Sequence, residues 1–318
     1  MKYIFGPVPS RRLGQSLGID TIPLKTCNWN CVYCQLGRTV PLTNERREYA
    51  PVEEILHEAD QVLMSSMSRD IDWVTFVGSG EPTLHSRIGE LIRSVKSFTT
   101  LPVAVITNGS LLYQPEVREE LSVADAVLPT LDAGTPELYR KINRPHAQAT
   151  FERLVNGLIS FQKEYKGKLW VEVMLVRGVN DSPAAIEDIA RTLGRIQPDA
   201  VHINLPTRPP VEKWVEPTDD EGLMRALSIL GNIAEVVHPA EGSFELSKHE
   251  DIVDAVIEII TRHPMREDEL VRTLAHWSSG QVAQTLEALK MSGKAQVVER
   301  YGTHFWLAQP AHFPNGSK

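Results

Sequence analysis

The chain has 318 residues, too many for one small core and enough for a large domain with a smaller one beside it. Its 42% hydrophobic and 23% charged residues are an ordinary globular composition, and no apolar run reaches transmembrane or signal-peptide length, which points to a cytoplasmic protein with no membrane partner. A formal charge of −8 disfavours general affinity for phosphate backbones, and three cysteines confined to residues 27–34 argue against a disulfide framework.

Taken in chain order, the apolar pattern alternates between short β runs and helical stripes. Residues 17–22 read as a strand, and residues 51–67 as a helix with Pro51 near its start and Ile55, Ala59, Val62 and Leu63 on one face. Strands follow at 73–77, 103–106, 126–129, 169–176 and 200–204, with helices at 88–97, 150–165 and 183–196 between them. Repeated strand–loop–helix units predict an α/β fold with a parallel sheet, and in such sheets chemistry gathers at the C-terminal strand ends. The polar, glycine-rich segments fall at those ends: Gly78-Ser79-Gly80-Glu81, Thr107-Asn108-Gly109 and Asn204-Leu205-Pro206-Thr207.

The pattern changes near residues 244–247, which divides the chain into domains 1–242 and 243–318. Ile252, Val256, Ile259 and Ile260 mark one helix, residues 267–274 a second, and a third begins at a Ser278 or Ser279 cap with Val282, Leu286 and Leu289 inward. Two strands around Tyr301-Gly302 follow, so the order is that of a winged helix. From Asp251 to Lys318, eight acidic residues face seven basic ones, and the third helix carries no arginine. A DNA reader needs a basic face, so DNA is disfavoured as a partner and a protein partner, or packing on the first domain, is preferred.

The three cysteines read Cys27-Asn28-Trp29-Asn30-Cys31-Val32-Tyr33-Cys34. Thiolates at this spacing suit a cubane iron–sulfur cluster, and three of them leave one iron open for a ligand. Two other readings stand beside this one. A structural zinc would need His57 or His85 as fourth ligand, and a redox pair at Cys31 and Cys34 lacks thioredoxin-like surroundings.

This C-x3-C-x2-C run, with an aromatic residue before its last cysteine, resembles the signature of the radical S-adenosylmethionine (SAM) superfamily. The resemblance implies a partial (β/α)6 barrel, a 4Fe–4S cluster held by Cys27, Cys31 and Cys34, and SAM bound at the open iron. It also implies an electron donor such as flavodoxin or ferredoxin, and cleavage of SAM to a 5′-deoxyadenosyl radical that takes hydrogen from a substrate. Gly78-Ser79-Gly80-Glu81-Pro82 is similar to the family's glycine–glycine–glutamate motif, with Glu81 facing the SAM amino group. Tyr33, Gly78, Gly80, Glu81, Thr107, Asn108, Asp132 and Leu205 are then the candidate SAM-side residues. Residues 131–145 and 7–14 place the likeness near the iron–sulfur oxidoreductases related to tRNA-wybutosine-synthesising enzymes. The extra cysteines of those enzymes have no counterpart in these residues, and their flavodoxin-like domain is not expected here.

For the unidentified substrate, Arg11, Arg12, Lys141, Arg144 and Arg208 are candidates, with Asp132 also on that side, because charges at strand ends can hold a carboxylate or phosphate. Arg11 and Arg12 could equally cover the barrel end. Residues 206–217, with Arg208 and Trp214, read as a loop able to close over the site. The leading function is radical SAM catalysis. The alternative is an iron–sulfur-sensing regulator that binds DNA through the winged helix.

Overall fold

A computed structural model describes residues 2–10, 12–64, 71–237, 251–274, 277–300 and 302–309. The predicted parallel sheet is present and carries two strands more than the pattern suggested. Its eight strands lie in chain order: β1 (Ile4–Ser10), β2 (Gly14–Ile19), β3 (Trp73–Phe76), β4 (Val103–Thr107), β5 (Ala126–Pro129), β6 (Lys168–Met174), β7 (Ala200–Asn204) and β8 (Ala234–Val236). All neighbours from β2 to β8 are parallel, and β1 is antiparallel to β2. Pro7 and Pro9 argue against a strand in the sequence. At the edge of a sheet they are tolerated, because an edge proline need not donate to the ladder.

The helices are α1 (Val52–Leu63), α2 (Ile88–Phe98), α3 (Pro115–Leu121), α4 (Pro136–Ile142), α5 (Phe151–Glu164), α6 (Pro183–Ile196) and α7 (Asp220–Leu230). Pro115, Pro136 and Pro183 each sit in the first helical turn, where a missing N–H costs nothing. Thr135, Thr150, Ser182 and Asp219 cap α4, α5, α6 and α7 through their side chains, each cap contributing about 1 kcal/mol. The two seven-residue helices escape a periodicity search because they are only two turns long. The first predicted helix ends at Leu63, and residues 65–67 of that prediction lie outside the described residues.

One apolar cluster joins the outer face of the sheet to these helices, with Ile55, Leu91, Leu121, Phe161 and Leu193 nearly or fully buried. A second, smaller cluster fills the inside of the sheet's curve: Leu13, Ala104, Ala126 and Leu128, with Trp73, Ile106 and Trp170 against them. Leu13 comes from the β1–β2 hairpin and is 2% exposed. The alanines opposite leave room for it. The hairpin therefore closes one end of the barrel, and the other end opens on the loops after the strands.

From residue 251 the elements are α8 (Ile252–Arg262), β9 (Met265–Arg266), α9 (Glu267–Thr273), α10 (Ser279–Met291), β10 (Ala295–Arg300) and β11 (Thr303–Ala308), the last two antiparallel and β11 also pairing with β9. Ser278 and Gln281 form a reciprocal capping box on α10. Val256, Ile260, Leu270, Leu274, Val282, Leu289 and Trp306 make a separate core. The expected domain boundary at 242/243 and the change of pattern at 244–247 lie outside the described residues.

Candidate functional site: a polar cavity at the strand ends

The loop after β2 carries the three cysteines and is fastened to the next strand's loop by backbone pairs. Lys25 N–H donates to Ser79 O at 2.6 Å, and Glu81 N–H donates to Thr26 O at 2.9 Å. The two chains lie so close that a Cβ on Gly80 would fall 2.0 Å from the Thr26 carbonyl oxygen, so only glycine fits there. Gly78 has φ +154°, and a Cβ there would meet the Asp20 carboxylate at the end of β2. That carboxylate accepts from Ser79 N–H at 3.1 Å and from Ser79 Oγ at 2.6 Å.

Together these loops line a cavity of about 400 Å³ that holds Cys27, Cys31 and Cys34, with Tyr33, Gly78, Gly80, Glu81, Thr107, Asn108 and Leu205 around them. An N–H donor faces every sulfur. Trp29 N–H lies 3.4 Å and Asn108 Nδ2 3.8 Å from Cys27 Sγ, Asn143 Nδ2 lies 3.7 Å from Cys31 Sγ, and Lys25 Nζ lies 3.0 Å from Cys34 Sγ. Such donors favour thiolate over thiol, which is what iron ligation requires. Burial opposes them in the metal-free protein. It pushes the Cys27 thiol up to about 12, with the Glu81 charge adding to it, and holds Cys31 well above the usual thiol range. Burial also works against the Lys25 ammonium, but the Cys34, Cys27 and Cys31 sulfurs outweigh it and raise its pKa. A cation is thereby kept beside the sulfurs, where a negatively charged thiolate cluster would need one. The donor set fits an iron–sulfur cluster.

The zinc reading loses its fourth ligand. His85 is fully buried, its Nε2 is 2.9 Å from Ala50 O, and its Nδ1 accepts from Arg87 N–H. His57 shares its Nε2 with Gln61. Among the described residues, no three His, Cys, Asp or Glu side chains converge on one ion, as thiolates serving separate irons need not.

Glu81 is 2% exposed, and its carboxylate accepts from Thr83 N–H, Thr83 Oγ1, Thr107 Oγ1 and Asn108 N–H at 2.5–3.0 Å. Burial raises its pKa against the pull of these four donors. The carboxylate thus ties the ends of β3 and β4 together, a role the sequence did not suggest. Asp132, placed on the SAM or substrate side by the sequence, is elsewhere. It is 1% exposed, does not line the cavity, and accepts from Tyr33 Oη at 2.5 Å, Asn143 Nδ2 at 2.6 Å and Met174 N–H at 2.8 Å. It fastens the cysteine loop to β6, and burial raises its carboxyl to about 6.

Of the substrate candidates, Arg12 and Arg208 line the cavity. Arg144 does not. It pairs with Glu212 at 2.5 Å, which also holds Arg38 at 3.0 Å. Lys141 lies exposed on the outer side of α4, away from the cavity lining, and Arg11 lies outside the described residues. Residues 206–217 pack down on the cysteine loop: Val211 N–H donates to Cys34 O and Glu212 N–H to Val32 O, both at 3.1 Å.

Several residues of the site were missed by sequence reasoning. Asn28 joins Asn108 at 2.7 Å and Ser110 at 2.8 Å. Glu172 meets Arg12 at 2.5 Å, and Arg12 also reaches Asn204 at 3.3 Å. A lone carboxylate in the apolar run Trp170-Val171-Glu172-Val173 was the available signal, since a buried-strand charge needs a partner. The C-terminal unit contributes too. His263 lines the cavity, and Arg262 Nε meets Asp20 Oδ2 at 3.0 Å with both side chains nearly buried. Arg262 also lies over the Phe5 ring, and its carbonyl accepts from Gln35 Nε2.

A family model described as the radical SAM superfamily matches residues 21–193. A UPF0026 protein of Methanocaldococcus jannaschii is 36% identical over 284 residues, 88% of this chain and 88% of that protein. A Brachyspira hyodysenteriae protein named GTPase Obg is 38% identical over 305 residues, covering 93% of this chain and 43% of its own length, so this chain spans less than half of that relative. Among solved structures, Streptococcus suis SuiB bound to S-adenosylmethionine superposes with a TM-score of 0.51 at 14% identity, over 71% of this chain and 50% of that one. No helix among the described residues is long and apolar enough to cross a membrane.

Proposed function

The chain belongs to the radical SAM superfamily and is an enzyme whose cofactors are a 4Fe–4S cluster and S-adenosylmethionine; from that premise we propose that Cys27, Cys31 and Cys34 hold the cluster and that the cavity around them is where SAM is cleaved. A cluster held by Cys27, Cys31 and Cys34 would supply one-electron reduction of SAM, giving methionine and a 5′-deoxyadenosyl radical that would abstract hydrogen from a substrate. The chain's own residues do the rest. Lys25, Asn108, Asn143 and the Trp29 N–H stabilise thiolate sulfur. Glycines at 78 and 80 let the loop after β3 lie against Asp20 and Thr26 and so fasten the cysteine loop beside the cavity, and Glu81 acts as the tie between two strand ends rather than as an open carboxylate. Tyr33, Thr107 and Leu205 present the remaining SAM-side surface.

The observation that carries this reading is the gathering of all three thiols, each with its N–H donor, in one cavity at the strand ends. The enzyme needs a reductant, for which a flavodoxin or ferredoxin is the natural class, and a substrate. The unit beyond the proposed boundary at 242/243 serves in this reading as a winged-helix-like wall of the same site, through Arg262 and His263. The test is anaerobic reconstitution with iron and sulfide, reduction with dithionite, and chromatography for 5′-deoxyadenosine from added SAM. The wild type should form it and Cys31→Ala should not. Cluster uptake with neither product nor any spectral response to SAM would contradict the reading.

A further inference from the structure

The wall of the cavity carries a nearly buried charged pair. Arg12, on the β1–β2 hairpin, reaches into the barrel beside Leu13 and meets Glu172 Oε1 of β6 at 2.5 Å and Asn204 Oδ1 of β7 at 3.3 Å. The two charged side chains are 15% and 11% exposed, and both line the cavity, so what exposure remains opens inward. Arg12 Nε is buried and has no hydrogen-bond partner among the described residues. Ser16 and Thr75, whose hydroxyls meet at 2.6 Å, line the same cavity. The Glu81 carboxylate of this cavity, by contrast, has four donors. A donor left without a partner in a polar cavity is a place where a ligand atom can complete the set.

We propose that Arg12 and Glu172 bind the dipolar head of the substrate, and that this head is an α-amino acid group, its carboxylate on Arg12 and its ammonium on Glu172. The inference rests on the cavity being the site of SAM cleavage and adds the substrate class to it. The charges decide the class. A lone carboxylate brought to Arg12 would also meet Glu172 at close range, and a lone ammonium on Glu172 would meet Arg12. With both side chains nearly buried, either repulsion is large. A zwitterion satisfies both ions and keeps the site neutral, and each contact is a charge-assisted hydrogen bond. SAM carries the same head group, so the two sources of it must be told apart.

The experiment uses the full chain, reconstituted with iron and sulfide but left unreduced so that no SAM is consumed. Binding of L-alanine, acetate and methylammonium is measured by calorimetry. Alanine should bind at least about 10-fold more tightly than either fragment, and Arg12→Met and Glu172→Gln should each weaken it by about 10-fold or more. In Glu172→Gln the preference should turn over, acetate then binding better than alanine, a gain that a purely structural pair would not produce. Alanine binding no better than its fragments, or unchanged in Glu172→Gln, would overturn the proposal even if Arg12→Met failed to fold. If S-adenosylhomocysteine displaces alanine one for one, the head group is that of SAM and the substrate assignment falls. If both bind together, it stands. Radical cleavage is read separately, by 5′-deoxyadenosine, so loss of either result leaves the other intact.

Discussion

Two carboxylates line the same cavity and are treated in opposite ways. Glu81, at the cysteine end, accepts from four donors of its own loops, three on one oxygen and one on the other. Glu172, at the hairpin end, has one close ionic partner, which itself keeps a buried N–H open. A saturated polar group builds the wall it stands in, and an unsaturated one is available to a ligand. A site motif in the sequence does not distinguish the two, because both are simply glutamates at or near strand ends.

The isosteric change at each position is the sharpest way to break this comparison. Glu81→Gln replaces one acceptor oxygen by an NH2 that then faces one or three of its donors, so it should cost about 3 kcal/mol or more. Glu172→Gln keeps a carbonyl toward Arg12 and opens on the cavity, so it should cost about 1 kcal/mol. Urea denaturation of the cluster-free proteins would read both, and equal costs would erase the distinction. Next in size is the link to the C-terminal unit. Arg262→Met removes the partner of nearly buried Asp20, which holds Ser79, and should cost about 2–3 kcal/mol. It should also speed hydrogen exchange in residues 78–81, and unchanged exchange there would mean that the contact does not reach the loop.

The smallest expected effect depends on pH. The Asp132 carboxyl is raised to about 6 when folded, chiefly by burial. A raised carboxyl binds its proton more tightly in the folded state, so its stabilising contribution is present at low pH and lost as pH rises through about 6. Between pH 7 and pH 5 the wild type should therefore gain about 1 kcal/mol relative to Asp132→Asn. Parallel pH–stability curves for the two would assign the acid response elsewhere.

Much of this was legible in the sequence. The six predicted strands are β2 to β7, and the helices at 88–97, 150–165 and 183–196 are found within a residue. Their apolar patterns are long and their ends carry glycine, proline or caps. The cysteine loop and its glycine neighbour declared themselves through residue type and spacing. What stayed hidden was pairing at a distance. Arg12 finds Glu172 and Asn204 across the barrel, and Asp20 finds Arg262 from 242 residues away. Asp132 looked like a ligand residue because it is charged and follows a strand, yet its three donors turn it inward. Local pattern reports which groups are polar, and only the fold reports which are already satisfied.

The central claim is that the three thiolates hold a cluster with one iron open to SAM. The most direct measurement is the electron paramagnetic resonance spectrum of the reconstituted, reduced protein with and without SAM. A spectrum that shifts on adding SAM, with about four irons per chain, is what this account predicts. A cluster signal indifferent to SAM, or a protein that takes up zinc in place of iron, would contradict it.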